Sequence, residues 1–406
     1  MLIGDNMKRF VFVIVIFVAL SFFYDSPVHM KDFVGQNYIL AKEFLYENNI
    51  KYEVTYVYDE SIEGTIISQS VIEGEKLDAN DVVIIEVSNG EDMIEKYKKI
   101  GVNELGRIPV MMYHGIYDMS DDETDYLGGN VDSHGYHRTV ESFKKDLNFF
   151  YSNGYRMIRL DDYVNFNIDV ELGKSPIILT FDDGLKNNVN VLGYDDDGEI
   201  IIDPNSAVGV MESFKEKYPD FNVTATFFIN QPIFNQSKYN DDIIKWLLNN
   251  GYDIGNHTYS HANLASINGD EVIYEIGRMY KLLDDMTNGK NVNIVSLPFG
   301  SPTSREHENF EYILKGEYNG YEYTTSSTLR VGWESDLSPF HKNFDNSFVK
   351  RIRAYDNDGL DFDIEHNFKI LEKSKYVSSG QNDFIVVPNN LKGSISKDFV
   401  DKVLTY

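Results

Sequence analysis

The 406-residue chain contains no cysteine. That excludes disulfides, thiolate metal ligands, a cysteine nucleophile and a lipid-modified N-terminal cysteine. Any metal must be held by imidazole and carboxylate groups. Positive charge is scarce too: 37 Lys and Arg stand against 65 Asp and Glu, a formal net charge of −28. So acidic a chain is not a nucleic-acid binder, because that affinity comes largely from basic groups neutralising phosphates. Internal repeats and low-complexity tracts are missing. The uncharged apolar run Phe10 to Phe23 falls short of the roughly 20 residues that a full membrane span needs. What is present is ample core material, 42% apolar and 14% aromatic, which excludes general disorder. The length allows two or three domains of roughly 150 residues each.

Met7-Lys8-Arg9 precedes the apolar run, and a short basic segment before such a run is the pattern of an export signal. Ser21-Phe22-Phe23-Tyr24 is bulky where a cleavage site would have small residues. Residues 1–24 therefore read as a signal peptide or membrane anchor, with the anchor favoured. The rest of the chain is expected outside the membrane, secreted or held at the cell surface. The membrane is a partner only if the segment is retained.

Residues 32–90 form a compact pattern. Ile39, Leu40, Phe44 and Leu45 have nearly helical spacing over Gln36 to Asn48. Tyr52 to Val57, Thr65 to Ser70 and Val82 to Ser88 read as strands. Gly74 and Asn89-Gly90 punctuate their ends. Asp32-Phe33-Val34-Gly35, the stretch Gly64 to Ser70 and the closing Val87-Ser88-Asn89-Gly90 resemble a PASTA domain. That resemblance implies a place outside the cell, as a module that binds peptidoglycan or as a passive stalk.

Residues 91–106 mix charges without strong periodicity and read as a linker. From 107 to 406 the pattern changes. Ile108 to His114, Ile177 to Thr180 and Val223 to Ile229 are continuous apolar strands, with Tyr252 to Ile254 a shorter one. Phe143 to Tyr151 and Ile243 to Leu248 are helical in period. Such alternation predicts an α/β fold with a parallel sheet covered on both faces, and the length suits a barrel.

Two motifs carry chemistry. Thr180-Phe181-Asp182-Asp183-Gly184 follows an apolar strand, where α/β barrels place their active sites. Asp-Asp-Gly alone is commonly a turn. Here the glycine can turn the chain so that both carboxylates reach one site, one toward a cation and the other toward its water. In Gly255-Asn256-His257-Thr258-Tyr259-Ser260-His261 the two histidines stand four apart. On one helical turn both imidazoles would converge on one ion. An Asp-His-His set suits Zn²⁺ first, and also Co²⁺, Ni²⁺, Mn²⁺ or Fe²⁺.

These motifs, with Ala225-Thr226-Phe227-Phe228 between them, resemble the polysaccharide deacetylase (NodB-homology) family of carbohydrate esterases. The resemblance implies a distorted (β/α) barrel of about seven repeats. It implies hydrolysis of N- or O-acetyl groups on glycans such as peptidoglycan, poly-N-acetylglucosamine, chitin or xylan. It makes Asp182 the general base and Asp183, His257 and His261 the ligands of one divalent cation. Leu297-Pro298-Phe299-Gly300 falls where the family's third motif belongs, so Pro298 and Phe299 would touch substrate and the Phe299 N–H would assist the oxyanion. Ser296 replaces the arginine that family members place beside the base. Without that cation Asp182 should have a raised pKa unless Arg330, Arg351 or Arg353 substitutes. Trp333 resembles the family's aromatic wall, though a core tryptophan would read the same. The family's C-terminal Leu-x-His is not evident. His114, closing the first barrel strand, is the expected general acid with a near-neutral pKa. His341 and His366 read as surface residues, His134 and His137 as solvated loop residues.

The expected function is metal-dependent N-deacetylation of a cell-surface N-acetylglucosamine polymer, peptidoglycan first. The alternatives are an O-acetyl esterase, a non-catalytic glycan-binding wall protein or an acidic adhesin.

Overall fold

The structure is a computed structural model that describes residues 27–78 and 80–406. The expected signal or anchor, 1–24, lies outside the described residues. Among the described residues no helix is long and apolar enough to cross a membrane. The chain divides into two compact units, 1–99 and 100–406.

In the first unit helix α1 (Tyr38–Glu47) precedes strands β1 (Lys51–Val57), β2 (Ile66–Gln69) and β3 (Val82–Ser88). Strand β3 is central, parallel to β1 and antiparallel to β2. Asn37 caps α1, its side chain accepting from the Ile39 N–H. The helix lies where its spacing predicts, but with a different buried face. Ile39 is 55% exposed and Leu40 48%, while Ala41 and Leu45 pack on Val54, Val83, Ile85 and Val87. Ala41 and Leu45 are four apart, so they share a face that the bulkier pair does not.

The stretch read as a linker contains helix α2 (Met93–Ile100). Just beyond it Glu104 is buried in the second unit, accepting from the backbone of Ser379 and Val386.

The second unit is built on a parallel sheet. Its strands are β4 (Val110–Tyr113), β5 (Tyr155–Met157), β6 (Ser175–Phe181), β7 (Thr226–Ile229), β8 (Asp253–Asn256), β9 (Ile294–Ser296), β10 (Ser327–Leu329) and β11 (Ile352–Arg353). The spatial order is β10-β9-β8-β7-β6-β4-β11, with β5 also beside β6. Just before β11, Val349 bridges to Leu329 of β10, and its N–H donates to Thr328 at 2.8 Å. One short segment thus touches both ends of the sheet, which curves into the expected distorted barrel without long free edges.

Alternation along β6 sorts its side chains. Ile177, Leu179 and Phe181 join a core with Phe143, Leu147 and Phe150 of helix α3 (Val140–Ser152) and Val208 and Met211 of helix α4 (Ala207–Lys217). Ile178 packs instead with Val110, Phe228 and Leu329. Thr180 and Asp182 share the face of Ile178, so Asp182 ends the inward row at the C-terminal end of the sheet.

Candidate active site

Every residue of β6 is buried, and the ladder continues one step past it, the Asp182 N–H donating to Tyr113 at 2.9 Å. There the backbone turns sharply: Asp183 has φ +74° and Gly184 φ +58°. A Cβ on Gly184 would sit 2.8 Å from the Ile229 side chain, so only glycine lets the chain pass. The turn sends the two aspartates in different directions.

Asp183 meets the histidines. Its Oδ1 lies 3.2 Å from His257 Nε2 and 3.3 Å from His261 Nε2. His257 Nδ1 is 2.8 Å from the Ser296 carbonyl, which only accepts. Nδ1 therefore carries the proton and Nε2 faces Asp183 with its lone pair.

The histidines do not share a helical turn, which corrects the expectation for their spacing. Residues 257–261 form a loop after β8 in which Thr258 and His261 have φ of +64° and +59°. The loop is tied to Glu275 of helix α5 (Gly269–Thr287): Ser260 donates to that carboxylate through its N–H at 2.8 Å and its hydroxyl at 2.7 Å. Tertiary hydrogen bonds override the local helical option, and the rings still converge, 4.9 Å apart. Nothing in the motif points to Glu275.

The cluster suits a cation. Asp183, His257 and His261 are the one group of three ligand-type side chains found among the described residues with donor atoms all within 4.8 Å of one another. Buried Asp183 Oδ1 and His257 Nε2 have no hydrogen-bond partner. Buried donor atoms left unpaired and aimed at one point are what a divalent cation requires.

Asp182 goes the other way, into a bidentate pair with Arg351. Nη1 donates to Oδ1 at 2.8 Å and Nη2 to Oδ2 at 2.7 Å, both residues being buried. The guanidinium also donates to Thr180 Oγ1, Ser296 Oγ and the Arg330 carbonyl. Ser296 Oγ in turn lies 3.0 Å from Asp182 Oδ2. Arg351 thus supplies the cation that Ser296 lacks. Burial by itself would raise the Asp182 pKa, but the Arg351 guanidinium holds it well below the usual carboxylate range. The raised value expected from Ser296 alone does not occur.

His114 is half-buried beside this network, its ring 5.0 Å from Tyr136 and its buried Nδ1 unpaired. Burial pushes it down to about 4, outweighing Asp182 and Asp183. That corrects the near-neutral expectation: at rest His114 is a neutral imidazole. His137, read as solvated, is half-buried 6.2 Å from His114, and its Nδ1 accepts from the Gly115 N–H. His134 is exposed, as expected of a loop residue.

Phe299, with φ +59°, lays its ring 4.7 Å from His261, and Pro298 is buried beside it. Trp333 lies beyond the C-terminal end of β10, 62% exposed, with its ring 6.3 Å from Phe362. The two aromatics line a cleft of about 310 Å³ with Arg330 and Lys350. No ring contact links Trp333 to the Asp-His-His cluster among the described residues.

The family profile described as polysaccharide deacetylase matches residues 169–312, and the PASTA profile matches residues 28–89. The chain carries a polysaccharide deacetylase domain and a PASTA domain. The deacetylase match includes Asp182, Asp183, His257, His261, Pro298 and Phe299, while His114, Trp333 and Arg351 lie outside it. A peptidoglycan-N-acetylglucosamine deacetylase of Bacillus cereus is 38% identical over 85 residues, 21% of this chain and 30% of that protein. A chitin deacetylase of Arthroderma benhamiae is 29% identical over 125 residues, 30% of this chain and 27% of that protein. The chain thus spans less than a third of the length of each of these relatives. A Streptococcus pyogenes deacetylase, PplD, solved with acetate, is similar over 62% of this chain and 94% of that one, at 17% identity and a TM-score of 0.43.

Proposed function

We propose that the deacetylase domain removes N-acetyl groups from an N-acetylglucosamine polymer of the cell surface, with peptidoglycan the first candidate. One observation carries this reading: Asp183 Oδ1, His257 Nε2 and His261 Nε2 lie within 4.8 Å of one another, the first two with no hydrogen-bond partner, next to an aspartate that Arg351 keeps ionised. Asp183, His257 and His261 would hold one divalent cation, zinc being our first choice. When bound, such an ion acidifies water and polarises an acyl oxygen.

The protein's own groups do the rest. Asp182 accepts a proton from water as the water oxygen bonds to the acetyl carbon. Its bidentate partner fixes its direction and keeps it unprotonated at neutral pH. The Phe299 N–H serves the oxyanion, and the exposed Phe299 ring borders the sugar. The C–N bond then breaks, acetate departs and the amine nitrogen takes up a proton. We assign that donation to His114, which is neutral at rest and must be charged during the cycle.

An exported wall enzyme agrees with the PASTA domain, which we read as a peptidoglycan-binding or spacer module, and with a signal or anchor at 1–24. Trp333 is assigned to the glycan groove at a distance from the reacting group. The non-catalytic reading rested partly on Ser296 and weakens with Arg351 beside the base. The deciding experiment is mass-spectrometric loss of acetyl from muropeptides and from chitopentaose, with metal content measured and Asp182→Asn as control. Acetate release by the native protein alone supports the reading. Metal binding without acetyl loss from either substrate overturns it.

A further inference from the structure

Arg351, just before β11, and Arg353, which ends it, lie on one side of the sheet, because residues two apart in extended chain share a face. Arg351 is pinned inside the barrel on Asp182. Arg353 stands one step nearer the catalytic end, paired in register with Met112, two residues before His114. Its guanidinium lies 5.3 Å from the Tyr136 ring and 4.4 Å from the Tyr355 ring. Tyr136 in turn contacts His114. The arrangement is built in: a Cβ on Gly135 would sit 2.0 Å from Tyr355, so only glycine brings this loop down on the tyrosine.

Arg353 is half-buried, yet among the described residues its side chain makes no ion pair and no hydrogen bond. Arg107, Arg138, Arg156, Arg159, Arg305 and Arg351 each reach a carboxylate in this acidic chain. Aromatic contacts use the faces of a guanidinium and leave its N–H edge free, the geometry that receives a carboxylate. A chain of net charge −28 otherwise repels an anionic polymer, so a cation free at the catalytic mouth offsets that field where substrate must enter.

We propose that Arg353 binds a carboxylate on the glycan next to the acetylated sugar being processed, so that an acidic polymer is preferred over a neutral one. This deepens, and rests on, the glycan-deacetylase reading. Muramic acid freed of its stem peptide carries such a group on its lactyl ether, whereas in peptide-bearing muramic acid that carboxyl is an amide and chitin-type polymers have none.

The test uses three oligosaccharides of equal length: N-acetylglucosamine alone, N-acetylglucosamine alternating with N-acetylmuramic acid bearing a free lactyl carboxylate, and the latter with that carboxylate amidated. The native full-length protein should show a kcat/KM for acetate release about tenfold or more higher on the carboxylate form than on the amide, a preference that shrinks with added salt. Arg353→Gln should bring the ratio close to one, and Arg353→Lys should keep part of it. Equal treatment of the two forms by the native protein overturns the proposal whatever the variants do, as does an unchanged ratio in Arg353→Gln. The latter would leave Arg353 a post that only stacks the loop. Calorimetric binding of the same compounds to Asp182→Asn separates the two claims. If the native protein releases acetate from none of the three, the deacetylase reading fails, and the binding ratio alone decides the arginine.

Discussion

The PASTA domain and the deacetylase domain handle polar groups in opposite ways. In the first unit Ser88 is the sole buried polar residue among those described. Its core is Leu45, Val54, Ile66, Val83, Ile85 and neighbours, all apolar. The second unit buries Asp182, Arg351, Arg138, Asp146, Glu104 and Asp253, a burden of desolvation that apolar residues would avoid. The lesson is that buried charge marks the unit with chemistry to do.

Four changes test this contrast, in order of decreasing effect on turnover. His257→Ala removes one of the three groups assigned to the cation and should drop acetate release to background with loss of stoichiometric metal, read by elemental analysis. Asp182→Asn should lower kcat by ~10²–10⁴-fold while leaving bound metal in place, because it removes the group assigned as the base and none assigned to the metal. Equal metal loss in both variants would merge the two roles that the diverging aspartates keep apart.

Arg351→Met should act on both rate and stability. Burial is then the leading influence on Asp182 and raises its pKa, so the base protonates at higher pH and the acid limb of the kcat/KM profile moves up in pH. An unmoved limb would detach Arg351 from the base. The variant also strands a buried carboxylate, which should destabilise the barrel by about 3–5 kcal/mol, and adding Asp182→Asn should recover much of that. In the native protein the Asp182 pKa is lower folded than unfolded. The pair therefore stabilises at neutral pH, and that contribution fades as pH falls below about 4, visible in acid-unfolding curves.

Ile85→Ala in the first unit should lower the stability of that unit by about 2–5 kcal/mol through a core cavity and leave acetate release from a short soluble oligomer unchanged. A large loss of turnover would show that the two units are not separable in function.

Much of this was legible from short patterns. The β6 strand and its Asp-Asp-Gly end, the His-x3-His spacing, the PASTA strands and the parallel alternation all depend on neighbours within a few residues. The misreadings have the opposite character. Ile39 and Leu40 marked the helix yet face outward, because which face is buried depends on the sheet beneath. His257 and His261 converge through a loop that Glu275 holds, not through a helix. The His114 pKa follows from burial, which no motif encodes.

The sequence by itself settled the kinds of group available: imidazoles and carboxylates without thiols, at strand ends of an α/β barrel behind a small apolar module. Only the tertiary structure decided which arginine pairs with Asp182. Arg351 lies 169 residues from Asp182, and the two meet because the last strand inserts beside the first. Local periodicity reports what each segment can form. Pairing across a closed sheet depends on where the chain returns, a property of the whole barrel.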